Sequence, residues 1–79
     1  YVSDGRELLA RISQSLAPED GELLMRHAHT LKGSSRNMGA DTVAEIAGEL
    51  EAKAGHAEVA ELTALSQRLE AAFEATLPL

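Results

Sequence analysis

The stretch Ala28-His29-Thr30-Leu31-Lys32-Gly33-Ser34-Ser35 sets a histidine, a lysine three residues on and a glycine four residues on. On a helix those spacings share one face, so the three residues cluster if the segment is helical. Neutral imidazole is a nucleophile, and a nearby ammonium offsets negative charge on an incoming anion. Glycine within a helix costs about 1 kcal/mol relative to alanine, which suggests that the space it leaves is used. Together these features suit transient attachment of an anion such as phosphate to a ring nitrogen of His29. Lys32 would face the incoming oxygens, and Gly33 would keep the approach open.

The surrounding charges sharpen this reading. No acidic residue occurs between Glu22 and Asp41, whereas Arg26, Lys32 and Arg36 fall in that interval. His29 therefore sits in the basic island of an otherwise acidic chain, where like charges disfavour imidazolium. With about 100° per residue, Leu24, Ala28, Leu31 and Ser35 mark the inward direction, and His29 falls about 140° from it, towards solvent. Met25, Arg26 and Arg36 lie on the same outer face. Met25 is a candidate apolar contact for a docking partner, and Arg26 and Arg36 are candidate contacts for an acidic one.

Plainer readings apply to the neighbouring groups. A surface histidine beside lysine is ordinarily part of a solvated face, and only the whole pattern raises His29 above that. His27 falls on the flank of the inward stripe and reads as a boundary residue, and His56 follows Gly55 in a loop. His27 and His29 are two apart and point away from each other on a helix, so they cannot share a metal ion. The chelating spacing is i, i+4, and no metal site is expected. Ser34 and Ser35 have no adjacent base and do not form a hydrolytic triad.

Four amphipathic segments must position these residues. The first runs from about Asp4 to Leu16, with Asp4 and Glu7 at capping-box spacing and Leu8, Leu9, Ile12 and Leu16 at helical intervals. The second opens at Pro18, carries Leu24, Ala28, Leu31, Ser35 and Met38 inward, and closes at Gly39. Thr42 and Glu45 have capping-box spacing at the head of the third, whose stripe is Val43, Ile46, Ala47, Leu50 and Ala54, ending at Gly55. The fourth spans about Ala57 to Leu77 beside Pro78, with Val59, Leu62, Leu65, Leu69, Ala72 and Phe73 inward. Short connections between such helices force antiparallel neighbours, so an all-α, antiparallel up-down four-helix bundle is expected, as one domain over residues 1–79.

Composition bounds the rest. A 79-residue chain buries about 60% of its unfolded surface, so its function is expected on the surface. There is no cysteine, and hence no disulfide or thiolate metal site. A net charge of −6 argues against nucleic acid as a partner. No apolar run approaches the roughly 20 residues of a membrane span, and direct membrane contact is not expected. A start at Tyr1 rather than Met suggests a piece of a longer chain.

The run Ala28-His29-Thr30-Leu31-Lys32-Gly33-Ser34-Ser35, continued by Asn37-Met38-Gly39-Ala40 and then Leu50-Glu51, resembles the signature of the histidine-containing phosphotransfer (HPt) domain family. The pattern is long and well spaced, and the resemblance covers nearly the whole chain. It implies a monomeric helical bundle that relays phosphate in two-component signalling. His29 would be the phosphoacceptor, attacking through Nε2, with Lys32 as the cation near the phosphoryl group and Gly33 as the gap that gives access. The implied partners are receiver domains of response regulators, which donate from an aspartyl phosphate and accept in turn. No cofactor belongs to the domain itself, because the Mg2+ of the transfer sits in the receiver. The resemblance also implies a phosphotransfer module without its own ATP site, and the chain has neither a glycine-rich nucleotide loop nor a kinase-type His-Glu followed by Arg-Thr-Pro. A cytoplasmic module is expected, at the C-terminal end of a hybrid sensor kinase, membrane-anchored or not, with a free-standing protein as the alternative. Many members carry a further short helix at the start, which this sequence lacks.

Two other functions fit the same residues. A docking bundle would bind a partner through this face without accepting phosphate. A substrate module of a chemotaxis-type kinase would instead be phosphorylated directly from ATP by a separate catalytic domain.

Overall fold

The computed structural model describes residues 2–77, the side chain of Val2 excepted. Tyr1 and the Pro78 expected beside the last helix lie outside the described residues. Four α-helices succeed one another: α1 (Val2–Ser13), α2 (Gly21–Asn37), α3 (Asp41–Lys53) and α4 (Val59–Thr76). A single 3-10 turn at Pro18–Asp20 leads into α2. Each helix packs against its neighbours in the chain and α4 returns against α1, the α2–α3 contact being the most extensive. The result is the all-α, antiparallel four-helix bundle that the periodicity predicts, 35 × 18 × 18 Å, or about two helix diameters across.

The apolar stripes meet along the axis. Ile12, Leu24, Leu31, Val43, Leu50, Leu69 and Phe73 are fully buried, with Ala28, Ala47 and Ser35 among them. Small residues at Ala28, Ser35 and Ala47 allow α2 and α3 to approach closely. Gly5 serves the same end on the far side, where an added methyl would stand 2.4 Å from the Phe73 ring. No buried side-chain nitrogen or oxygen among the described residues lacks a hydrogen-bond partner.

The helix ends depart from the sequence reading in instructive ways. Asp4 lies inside α1 and Thr42 inside α3, so neither caps; the residue before α3 is Ala40, which makes no side-chain cap. At the α2–α3 junction the chain is instead held by backbone. The Ala40 amide donates to the Ser35 carbonyl (2.8 Å) and the Gly39 amide to the Arg36 carbonyl (3.2 Å), the Schellman pairing, with Gly39 left-handed at φ 76°. Ala40 thereby drops into the core, and α3 starts two residues earlier than a cap at Thr42 predicts. α1 ends at Ser13, leaving Leu16 half-buried in the connection.

Two residues assigned inward are exposed. Met38 follows the last turn of α2 and is 62% exposed, because the chain turns away before it can pack. Val59, the first residue of α4, is 43% exposed, since the inward stripe begins one turn later at Leu62. Conversely Ala44 and Ser66 are buried without having been read as core.

The fold sets the height of α2 against α3 through glycine. At the α3–α4 turn, Ala54 (φ −58°, ψ 127°) and Gly55 (φ 79°) occupy the central positions of a type II turn closed by the His56 amide on the Lys53 carbonyl. A methyl added to Gly21, at the head of α2, would lie 3.1 Å from the Gly55 Cα and 3.2 Å from its nitrogen. The start of α2 therefore rests directly on the end of α3, backbone to backbone.

Candidate functional site

From that glycine contact the positions of the site residues follow by counting. At about 1.5 Å per residue, His29 stands about 12 Å up α2 and Glu51 about 6 Å back along α3. Side chains lean towards the N-terminus of their own helix, and the two helices are antiparallel, so His29 leans down and Glu51 leans up. They meet: His29 Nδ1 lies 2.7 Å from Glu51 Oε2. Lys32, one turn above His29, reaches the other oxygen of the same carboxylate, with Nζ 2.6 Å from Oε1.

The three side chains differ in exposure. His29 is 68% exposed, whereas Lys32 and Glu51 are 23% and 24% exposed. The carboxylate is thus a half-covered bridge beneath a solvent-facing imidazole. The Lys32 ammonium, ahead of the His29 contact, holds the Glu51 carboxyl below its ordinary value of 4.5, so it is ionised near neutral pH. An ionised carboxylate only accepts hydrogen bonds, so Nδ1 carries the proton of that contact. In the neutral ring, Nε2 then holds the free lone pair.

The other residues singled out in the sequence are found as follows. Gly33 is exposed, and a methyl built on it would meet nothing within 4 Å, so open space lies one residue beyond Lys32. Met25 is 45% exposed and shares a shallow hollow of about 310 Å³ with Glu22, Arg26, His29 and Glu51. Arg26 and Arg36 are exposed and form no ion pair among the described residues. His27 is half-buried on the flank of α2 against α1, beside Arg11, Ser15 and Asp20, and does not join His29. His56 is exposed in the α3–α4 turn. Ser34 donates to the Thr30 carbonyl (2.8 Å), and Ser35 is buried.

The basic island of the sequence is therefore incomplete as a description of the site. The charged residues one turn either side of His29 along α2 are the cations Arg26 and Lys32, yet the group in contact with its ring is an anion from α3. The argument from like charges alone does not hold here. Glu51 stands 22 residues from His29 in the chain, and helix periodicity carries no information about what a second helix brings opposite. The trace available in the sequence was the Leu50-Glu51 pair ending the quoted pattern, with no role attached.

No group of three or more histidine, cysteine, aspartate or glutamate side chains converges as a metal site among the described residues. No helix among them is long and apolar enough to cross a membrane. In comparison with known proteins, residues 1–76 match the family model described as Hpt domain. No curated protein and no solved structure matches the chain.

Proposed function

Since the chain belongs to the Hpt domain family, whose members transfer phosphoryl groups in two-component signalling, we propose that His29 is its phosphoacceptor, served by receiver domains of response regulators. The observation that carries this reading is the pairing of an exposed imidazole with a fixed carboxylate on Nδ1, which leaves Nε2 directed to chemistry.

The transfer runs as a displacement at phosphorus. The Nε2 lone pair forms the N–P bond while the bond from phosphorus to the receiver's aspartyl oxygen breaks, and its electron pair leaves with the carboxylate. Positive charge grows on the imidazole as this happens, and Glu51 is already in place against Nδ1–H to stabilise it. Lys32 shares that carboxylate and supplies the nearest cation for the phosphoryl oxygens. The reverse step returns the N–P electron pair to Nε2 and passes the phosphoryl group to another receiver. Met25, Arg26 and Arg36 surround the site as the partner contacts, apolar and cationic respectively, and the gap at Gly33 admits the partner's active-site edge.

The test is to incubate the chain with a receiver phosphorylated beforehand by a small phosphodonor in the presence of Mg2+. Acid-labile, alkali-stable label is expected on the parent and none on His29→Gln. Label that persists on His29→Gln would place the acceptor elsewhere. Absence of label on both, with receivers competent to donate, would leave a docking bundle that binds through the same face.

A further inference from the structure

Gly48 sits in the interior of α3, three residues before Glu51 and on the same face. Its backbone is not in the left-handed region, so conformation does not call for glycine there, and glycine is a weaker helix former than alanine or leucine. Space calls for a small residue there. Outside α3 itself, the one atom among the described residues within 4 Å of a methyl built on Gly48 is Lys32 Cδ, at 3.4 Å. The lysine stem crosses α3 over this bare stretch of helix before its ammonium meets Glu51 Oε1 at 2.6 Å. Only 23% of the Lys32 side chain is exposed, as expected for a stem laid along a surface rather than extended into solvent.

We propose that Gly48 is a positioning residue of the site: its missing side chain is the lane that lets Lys32 reach Glu51 and stand beside His29. The proposal rests on the reading of Lys32 as the cation of phosphotransfer, but the lane itself can be tested without it. Side chains on α3 lean towards its N-terminus, which is the direction from which the Lys32 stem descends. A methyl at 3.4 Å makes ordinary contact and leaves the lysine in place. A leucine runs on into the volume that the stem occupies, so the two cannot share the lane.

The experiment compares the parent 79-residue chain with Gly48→Ala, Gly48→Leu and Lys32→Met. Circular dichroism and thermal melting establish that each is folded; alanine and leucine both favour the helix over glycine. The Glu51 carboxyl is then titrated by carbon NMR. In Gly48→Leu its midpoint rises towards the ordinary carboxylate value, matching Lys32→Met, while Gly48→Ala keeps the lowered midpoint of the parent. A merely structural role for Gly48 would not move that midpoint. Phosphotransfer from a receiver falls by about tenfold in Gly48→Leu and Lys32→Met alike, and no further in the double variant, because both remove the same cation. A Glu51 midpoint in Gly48→Leu equal to the parent's overturns the proposal, as does a double variant slower than either single one. A parent that takes no label defeats the phosphotransfer reading instead, and the titration still decides the lane.

Discussion

At the residue scale, the decisive group is Glu51, because one carboxylate serves two partners of different kinds. Its contact with His29 fixes which ring nitrogen carries the proton, and its contact with Lys32 keeps the carboxylate ionised. The second effect makes stability depend on pH in a definite direction. A carboxyl held below 4.5 in the folded state contributes stability above that value, and the contribution is lost as pH falls through the lowered folded midpoint. Glu51→Gln removes this group from the acid limb. Urea denaturation should show the parent more stable than Glu51→Gln near neutral pH, with the difference shrinking as pH falls below 4.5 through the lowered folded midpoint. A difference unchanged across that range would mean that Lys32 and Glu51 are not coupled in solution. Nitrogen NMR of the His29 ring reports the other half, since loss of the fixed charge should raise the population of the Nε2-protonated tautomer.

At the scale of elements, the site depends on the height of α2 relative to α3, because a shift of one residue, about 1.5 Å, would break a 2.7 Å contact. That height is set where Gly21 rests on Gly55, with no side chain between the two backbones. A methyl at 3.1 Å from backbone atoms cannot be relieved by a rotamer change, so the helices themselves must move. Gly21→Ala should therefore cost about 1–3 kcal/mol in chemical denaturation. It should also weaken the His29–Glu51 pair, read as a Glu51 midpoint shifted towards 4.5, although neither site residue has been altered. Retained stability with an unchanged midpoint would show that the register is fixed elsewhere. The surface ion pairs that join elements, Arg6 with Glu74, Lys53 with Glu61 and Arg68 with Glu49, are exposed and add little to this alignment.

At the scale of the whole molecule, the bundle is small enough that its scaffold and its site are energetically close. At about 0.05–0.15 kcal/mol per residue, 79 residues carry about 4–12 kcal/mol of stability. Phe73 is fully buried on α4, within contact distance of α1 at Gly5 and on the opposite side of the bundle from the α2–α3 seam. Phe73→Ala should cost about 3–5 kcal/mol, a large part of that total. Its effect on phosphotransfer should follow the folded fraction measured by circular dichroism, with the rate per folded molecule unchanged. A rate per folded molecule that drops would mean that the α1–α4 side is coupled to the site.

Much of the molecule was legible from the chain alone, and the reason is local. Apolar spacing repeats with the pitch of a single helix, so the four helices, the inward faces around Leu24, Leu31, Leu50 and Leu69, and the outward direction of His29 and Gly33 all follow from one dimension of information. Helix starts were less legible than helix ends, because Asp4 and Thr42 have capping chemistry but lie inside their helices, whereas the closures at Gly39 and Gly55 are those the sequence predicts. What only the tertiary structure decided is which residues stand opposite one another. Glu51 beneath His29, the lane at Gly48 and the Gly21–Gly55 contact all join α2 to α3 or its closing turn. Periodicity specifies the face a helix presents, whereas the height at which two faces meet is set by the close packing of backbones, to within a fraction of one residue's rise.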